Sequence, residues 1–185
     1  MLVKLNDITK IQFGYYTQPS SKGTIPYLQA KHFNHFGQLI GDNDTFLEED
    51  DKVIENLLQE GDVLFAAKGY RFFATLYKKE FGKAVASSIF FIIKPNIQVI
   101  DPGYLVTVLN LPKNLLHFQQ SGAGSSIPSI RKSELLDFNL NLIPMEQQHK
   151  IAALQDLYLK DIELTNELIK QKNILHQTVI SKIIK

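Results

Sequence analysis

From Met145 to Lys185 the chain runs for 41 residues without a glycine or a proline. Everything before is punctuated: all ten glycines and six of the seven prolines lie ahead of Pro144. A continuous helix over that last stretch would be about 60 Å long, more than a body of about 140 residues can cover. One row of its positions advances by three or four residues: Ile151, Leu154, Tyr158, Ile162, Thr165, Leu168, Lys172, Leu175, Val179 and Ile183. Eight of those ten steps are apolar, the period of one helix face. The far half of such a helix needs another apolar surface, in a second chain or a partner. The alternative is that it folds back along its own body. A partner helix is expected, with Ile151, Leu154, Tyr158, Ile162, Leu168, Leu175, Val179 and Ile183 at the dimer interface. Lys172 is the charged step, and Asp161 or Glu163 of the other strand is a candidate to meet it.

The first part reads as mixed α and β. Ile25 to Lys31, Asp62 to Ala67, Phe72 to Tyr77 and Ala84 to Ile93 have strand composition, and Gly37 to Phe46 reads as a hairpin. Asp51 to Glu60 reads as a short helix stopped by Gly61. Asp101 can cap a helix with Pro102 at its first position. Phe138, Leu140 and Leu142 alternate with Asn139 and Asn141, as in a half-buried strand. The expected class is α+β: a mixed domain over 1–143, then one long helix over 144–185, with Pro144 at its start and Glu146 where the helix dipole favours a carboxylate.

Composition narrows the chemistry. No cysteine is present, so disulfides, thiolate nucleophiles and cysteine zinc sites are excluded. The longest apolar run, Ile89 to Ile93, is far short of a membrane span, and a cytoplasmic, membrane-free protein is expected. No phosphate loop, nucleophile elbow or amino-methyltransferase motif occurs. Gly122-Ala-Gly124 follows a helical stretch and reads as a turn. His32 and His35 are too few ligands for a metal. Asp50-Asp51-Lys52 sits in the most acidic stretch, a poor place for DNA. Neither a catalytic residue, a metal nor a cofactor is expected.

The formal net charge is +1, but its distribution is uneven. Asp42 to Asp62 holds nine acids and one base; Val63 to Ser133 holds nine bases and two acids. Such separation can give a neutral molecule one basic face, which suits a polyanion. Otherwise the two sets intermix once folded.

Several segments together resemble the specificity (S) subunit of Type I restriction–modification systems. Lys4-Leu5-Asn6-Asp7-Ile8 followed by Gly14 is similar to the start of one of its target-recognition domains. Ile25 to Lys31 resembles the first strand, and Glu60-Gly-Asp-Val-Leu-Phe65 with Gly69 resembles the Gly-Asp-(Ile/Val)-Leu signature. Ser121 to Ile130 is similar to the late polar loop, and Leu142 to Ile151 to the proline-and-glutamine entry of the spacer helix. The family usually carries two recognition domains and two spacer helices; this chain has one of each, a half-size form.

The resemblance implies a domain that reads one half of a split target in double-stranded DNA, and helices that pair antiparallel to set the half-site distance. Methyltransferase (M) subunits would bring S-adenosylmethionine and the chemistry, and a restriction (R) subunit could join. A half-size chain would then work as a homodimer on an inverted repeat. A coiled-coil adaptor that holds a methyltransferase or a full-length S subunit without reading DNA is the alternative.

The DNA-binding candidates fall in three groups. Lys68, Tyr70 and Arg71 lie past a strand in a glycine-containing loop, and a guanidinium fork can read guanine O6 and N7; a phosphate contact or a surface ion pair is the alternative for Arg71. Ser125, Ser126, Ser129, Arg131 and Lys132 form a polar, basic cluster after glycines that suits phosphates, or else a plain loop into a helix. Lys31 and His32 stand at the end of the first strand.

Overall fold

Val63–Ala66 and Phe90–Pro95 open with consecutive apolar residues, a pattern that suits strands covered on both faces. They pair with each other at the centre of the fold. The computed structural model describes residues 1–20, 22–34, 36–40, 43–121 and 127–184. Its elements in chain order are β1 (Leu2–Lys4), α1 (Leu5–Ile8), β2 (Thr9–Phe13), β3 (Ile25–Leu28), β4 (Phe46–Leu47), α2 (Asp51–Glu55), β5 (Val63–Ala66), β6 (Ala74–Leu76), β7 (Val85–Ala86), β8 (Phe90–Pro95), α3 (Pro102–Leu109), α4 (Pro112–Ser121), α5 (Lys132–Leu136), β9 (Asn139–Asn141) and α6 (Met145–Ile183). The class is α+β, ending in one long helix.

The central sheet has the order β2-β8-β5-β6 and is antiparallel throughout. Side chains alternate across it. Val63, Phe65, Phe91 and Ile93 face one core, shared with Leu105 and Leu109 of α3, Phe118 of α4 and Leu135 of α5. Leu64, Ala66, Phe90 and Ile92 face the other, with Leu28, Phe33 and Phe73. A second sheet, β4-β3-β7, lies beyond that face, and β1 pairs with β9.

Three local expectations differ from the structure. Among the described residues of Gly37 to Phe46 no two strands pair with each other: Leu39 bridges Phe33, and β4 starts only at Phe46, where it pairs with β3. The strand expected from Ala84 to Ile93 is two strands. The chain turns at Ser88 and Ile89, where the Phe90 N–H donates to the Ser87 carbonyl at 3.0 Å, so β7 joins β3 in parallel while β8 enters the central sheet. α2 ends at Glu55 rather than Glu60, with Asp50 as its N-cap through a bond from the Val53 N–H at 2.7 Å. The Asp101 cap of α3 holds, accepting from the Tyr104 N–H at 2.8 Å.

α6 is 39 residues long, with Pro144 as its N-cap. Its first turns belong to the packing of the body. Gln148 is 1% exposed: its Oε1 accepts from the Asp101 N–H at 2.8 Å, and its Nε2 donates to the carbonyls of Ile143 and Val99. Ile151 packs on the first core. Gly103 of α3 meets Ala152 so closely that a Cβ there would lie 3.0 Å from the alanine's. The helix then draws away, leaving an open groove of about 890 Å³ between its Leu159–Lys170 stretch and the body's Gln38, Leu76 and Val106. From Glu163 to Ile184 every residue is exposed.

Candidate nucleic-acid interface

One end of the central sheet gathers the ends of β2 and β5 and the starts of β6 and β8, because Phe13 is level with Phe91, Ala66 with Phe90, and Phe65 with Ala74. The β5–β6 loop, Ala67 to Phe73, therefore sits beside the turn after Phe13. Gly69 takes a φ of +109°, open to glycine and strained for other residues. The late polar loop is zipped onto this one. The Gly69 N–H donates to the Pro128 carbonyl and the Ile130 N–H to that of Ala67, both at 2.9 Å, with Lys68 opposite Ser129. Ile130, buried in the first core, anchors that zip. Next, Glu134 reaches back to accept from the Arg131 N–H at 2.7 Å and starts α5. The ammonium of Lys132 then lies 5.5 Å from the ring centroid of Phe13, which packs edge-on against Phe91.

Segments that the sequence holds some 60 residues apart are thus joined. Lys68, Ser129, Arg131 and Lys132 come to one end, on stretches that contain no acid between Thr9 and Thr17, Val63 and Tyr77, or Ile127 and Ser133. Among the described residues, Lys68, Arg131 and Lys132 have no ion pair. Elsewhere the acid and base runs intermix: Asp62 pairs with Lys94 at 2.9 Å and Glu49 with Lys83 at 3.5 Å, while Asp44 pairs with Lys31, which precedes both runs, at 2.7 Å. Tyr70 is 82% exposed here. Ser125 and Ser126 lie outside the described residues.

Arg71 and His32 are placed differently from a freely presented reader. The Arg71 Nη2 donates to the carbonyls of Ala30 (2.9 Å) and Phe33 (2.7 Å), and its guanidinium lies 4.7 Å from the Phe73 ring centroid. His32 is 4% exposed. Its Nδ1 accepts from the Gln29 N–H at 3.0 Å, so its hydrogen is on Nε2, 2.8 Å from Asp44 Oδ1. Lys31, exposed, also binds Asp44. The Lys31 ammonium, then the His32 ring and the Thr45 hydroxyl, hold the Asp44 carboxyl well below the usual carboxylate range. These bonds brace the turn after β3 against the β5–β6 loop.

The sequence reading missed Phe13 (60% exposed) and Tyr16 (87%). Their signal was the aromatic run Phe13-Gly-Tyr-Tyr16 directly after a strand. Exposed rings beside cations can stack on bases, and the cations suit phosphates.

The fold, a mixed-sheet domain trailing a long helix, is that of Type I S subunits. The S subunit from Thermoanaerobacter tengcongensis superposes with a TM-score of 0.59 at 18% identity, over 89% of this chain and 38% of that one. The S subunit from M. genitalium gives 0.63 at 15%, over 92% and 41%. A chain from a structure of complex assembly and conformational transition in the type I R-M system gives 0.62 at 17%, over 89% and 39%. This chain thus spans about two fifths of the length of each. No curated protein matches the sequence. The chain belongs to the Type I restriction modification DNA specificity domain family, whose model matches residues 1–173. Among the described residues no helix is long and apolar enough to cross a membrane.

Proposed function

We propose that the chain is a non-catalytic DNA-reading module that recognises one half of a bipartite target. As a homodimer through α6 it would direct Type I methyltransferase subunits, and a restriction subunit where one is present, to that target. One observation carries the DNA reading: the zip between Ala67–Gly69 and Pro128–Ile130 gathers Lys68, Arg131 and Lys132, none of them in an ion pair among the described residues, at the end where Lys132 lies beside Phe13. Lys68, Ser129, Arg131 and Lys132 hold phosphates, Tyr70 contacts base edges or stacks, and Lys31 supports them from the neighbouring turn. Arg71 and His32 keep the loops in place. S-adenosylmethionine and the transfer chemistry come with the methyltransferase.

The test is DNA binding by the chain with its methyltransferase subunit, followed by anisotropy across a salt series on inverted-repeat duplexes. Affinity should fall steeply with salt and be higher on the cognate repeat. Methyltransferase binding with no affinity for DNA at any salt would favour the adaptor reading, for which the exposed face of α6 is the supporting feature.

A further inference from the structure

The outward face of α6 carries a polar pair whose spacing selects one way of docking a second copy. The inward face is defined by contacts: Ala152 meets Gly103, Asp156 pairs with Lys78, and the Leu159 carbonyl accepts from Gln38. On the other side, Leu154, Leu157, Tyr158, Leu168, Leu175 and Val179 are exposed. Ile162 is half-buried, which leaves Asp161 as the outward residue of its turn. From Leu154 to Val179 one row on this face advances in strictly alternating steps of four and three, through Tyr158, Asp161, Thr165, Leu168, Lys172 and Leu175, with Leu157 and Leu164 exposed along its flank. That is a heptad seam, the signature of a two-helix coil. Asp161 and Lys172 are its charged steps, and among the described residues neither has an ion pair.

We infer that a second copy of this chain docks on this face antiparallel, with Asp161 of each copy opposite Lys172 of the other. The two-fold axis then passes between Asn166 and Glu167. This register sets Leu154 against Val179 and Tyr158 against Leu175, so apolar faces apolar and charge faces opposite charge, each pair occurring twice by symmetry. The competing registers fail on charge. In a parallel pair Asp161 meets Asp161 and Lys172 meets Lys172. One heptad shift sets Asp161 against Thr165 and Lys172 against Leu154; the other sets Asp161 against Val179 and Lys172 against Leu168. Either shift leaves both charges unpaired in the seam. The chosen register separates the two Met145 positions by about 65 Å along the coil, which fixes how far apart the two DNA-reading bodies stand. It rests on the homodimer of the proposed function.

The chain contains no cysteine, so introduced thiols report without background. Leu154→Cys protein mixed with Val179→Cys protein should form a disulfide-linked dimer on mild oxidation. Leu154→Cys alone, or mixed with Lys172→Cys, should not. Asp161→Lys and Lys172→Asp should each weaken dimerisation by about tenfold or more, and the double variant should restore it to within about threefold. Linkage of Leu154→Cys to itself or to Lys172→Cys, or a double variant no better than the singles, overturns the register; the DNA reading, measured separately, then still stands. A monomer by sedimentation at tens of micromolar overturns the register and the homodimer together.

Discussion

Arg71 stands in the loop where a base-reading guanidinium was expected, with its Nη2 turned inward to two backbone carbonyls. Arg71→Ala should lower stability by about 1–3 kcal/mol, measured by urea unfolding, and should weaken binding to all DNA sequences together by loosening the loop. Lys132→Ala should leave stability nearly unchanged and reduce the salt slope of DNA binding by about one unit. An Arg71→Ala protein of full stability that lost preference at a single base pair would instead make Arg71 a reader. Asp44 offers a pH test. Its folded pKa is depressed, so its contribution is present above the unfolded carboxylate value of about 3.9 and is lost as pH falls toward the folded one. The group is exposed, so the effect is small and screened by salt. Asp44→Asn should lower Tm slightly at pH 6, and the difference from the parent should shrink as pH falls below about 4.

At the scale of the element, α6 is two things in one helix. Its first turns are held by Gln148, which pairs one backbone donor and two acceptors from different segments. Gln148→Ala leaves these groups buried without partners and should cost about 1–3 kcal/mol, read by chemical denaturation. From Glu163 to Ile184 its outer turns are exposed, and burying a Leu or Ile side chain there contributes roughly 1.5–3 kcal/mol. Leu168→Asp or Leu175→Asp should therefore abolish the dimer by sedimentation while leaving the unfolding of the body unchanged.

For the whole molecule, the packing of Gln148, Ile151 and Ala152 into the body means that a cut at Pro144 would open the core. Truncation after Ile162 keeps those contacts and removes the projecting turns. That fragment should be a folded monomer whose affinity for an inverted repeat is lower by about 100-fold or more, because the second body is no longer held at high effective concentration. Its affinity for a single half-site should not change. Anisotropy on the two duplexes separates these outcomes.

The elements legible in the sequence were those governed by local physics. A stretch without glycine or proline and with a helical apolar period forms α6, Asp101-Pro102 starts α3, and the apolar run at Val63 forms a doubly covered strand, because backbone freedom, capping and side-chain period act over a few residues. The break between β7 and β8 was not legible, since the apolar run continues across Ser87 and Ser88 and only the two different sheets decide where each half pairs. Nor was the placement of His32 and Arg71. Both have the composition of a surface contact, yet partners distant in sequence, Asp44 for one and the Ala30 and Phe33 carbonyls for the other, take them into the structure. The sequence by itself determined the helix, its exposed seam and the supply of cations. Tertiary structure decided which cations stay unpaired and meet at one end, because ion pairing and backbone zipping depend on contacts between segments, as where Lys68 comes to lie opposite Ser129.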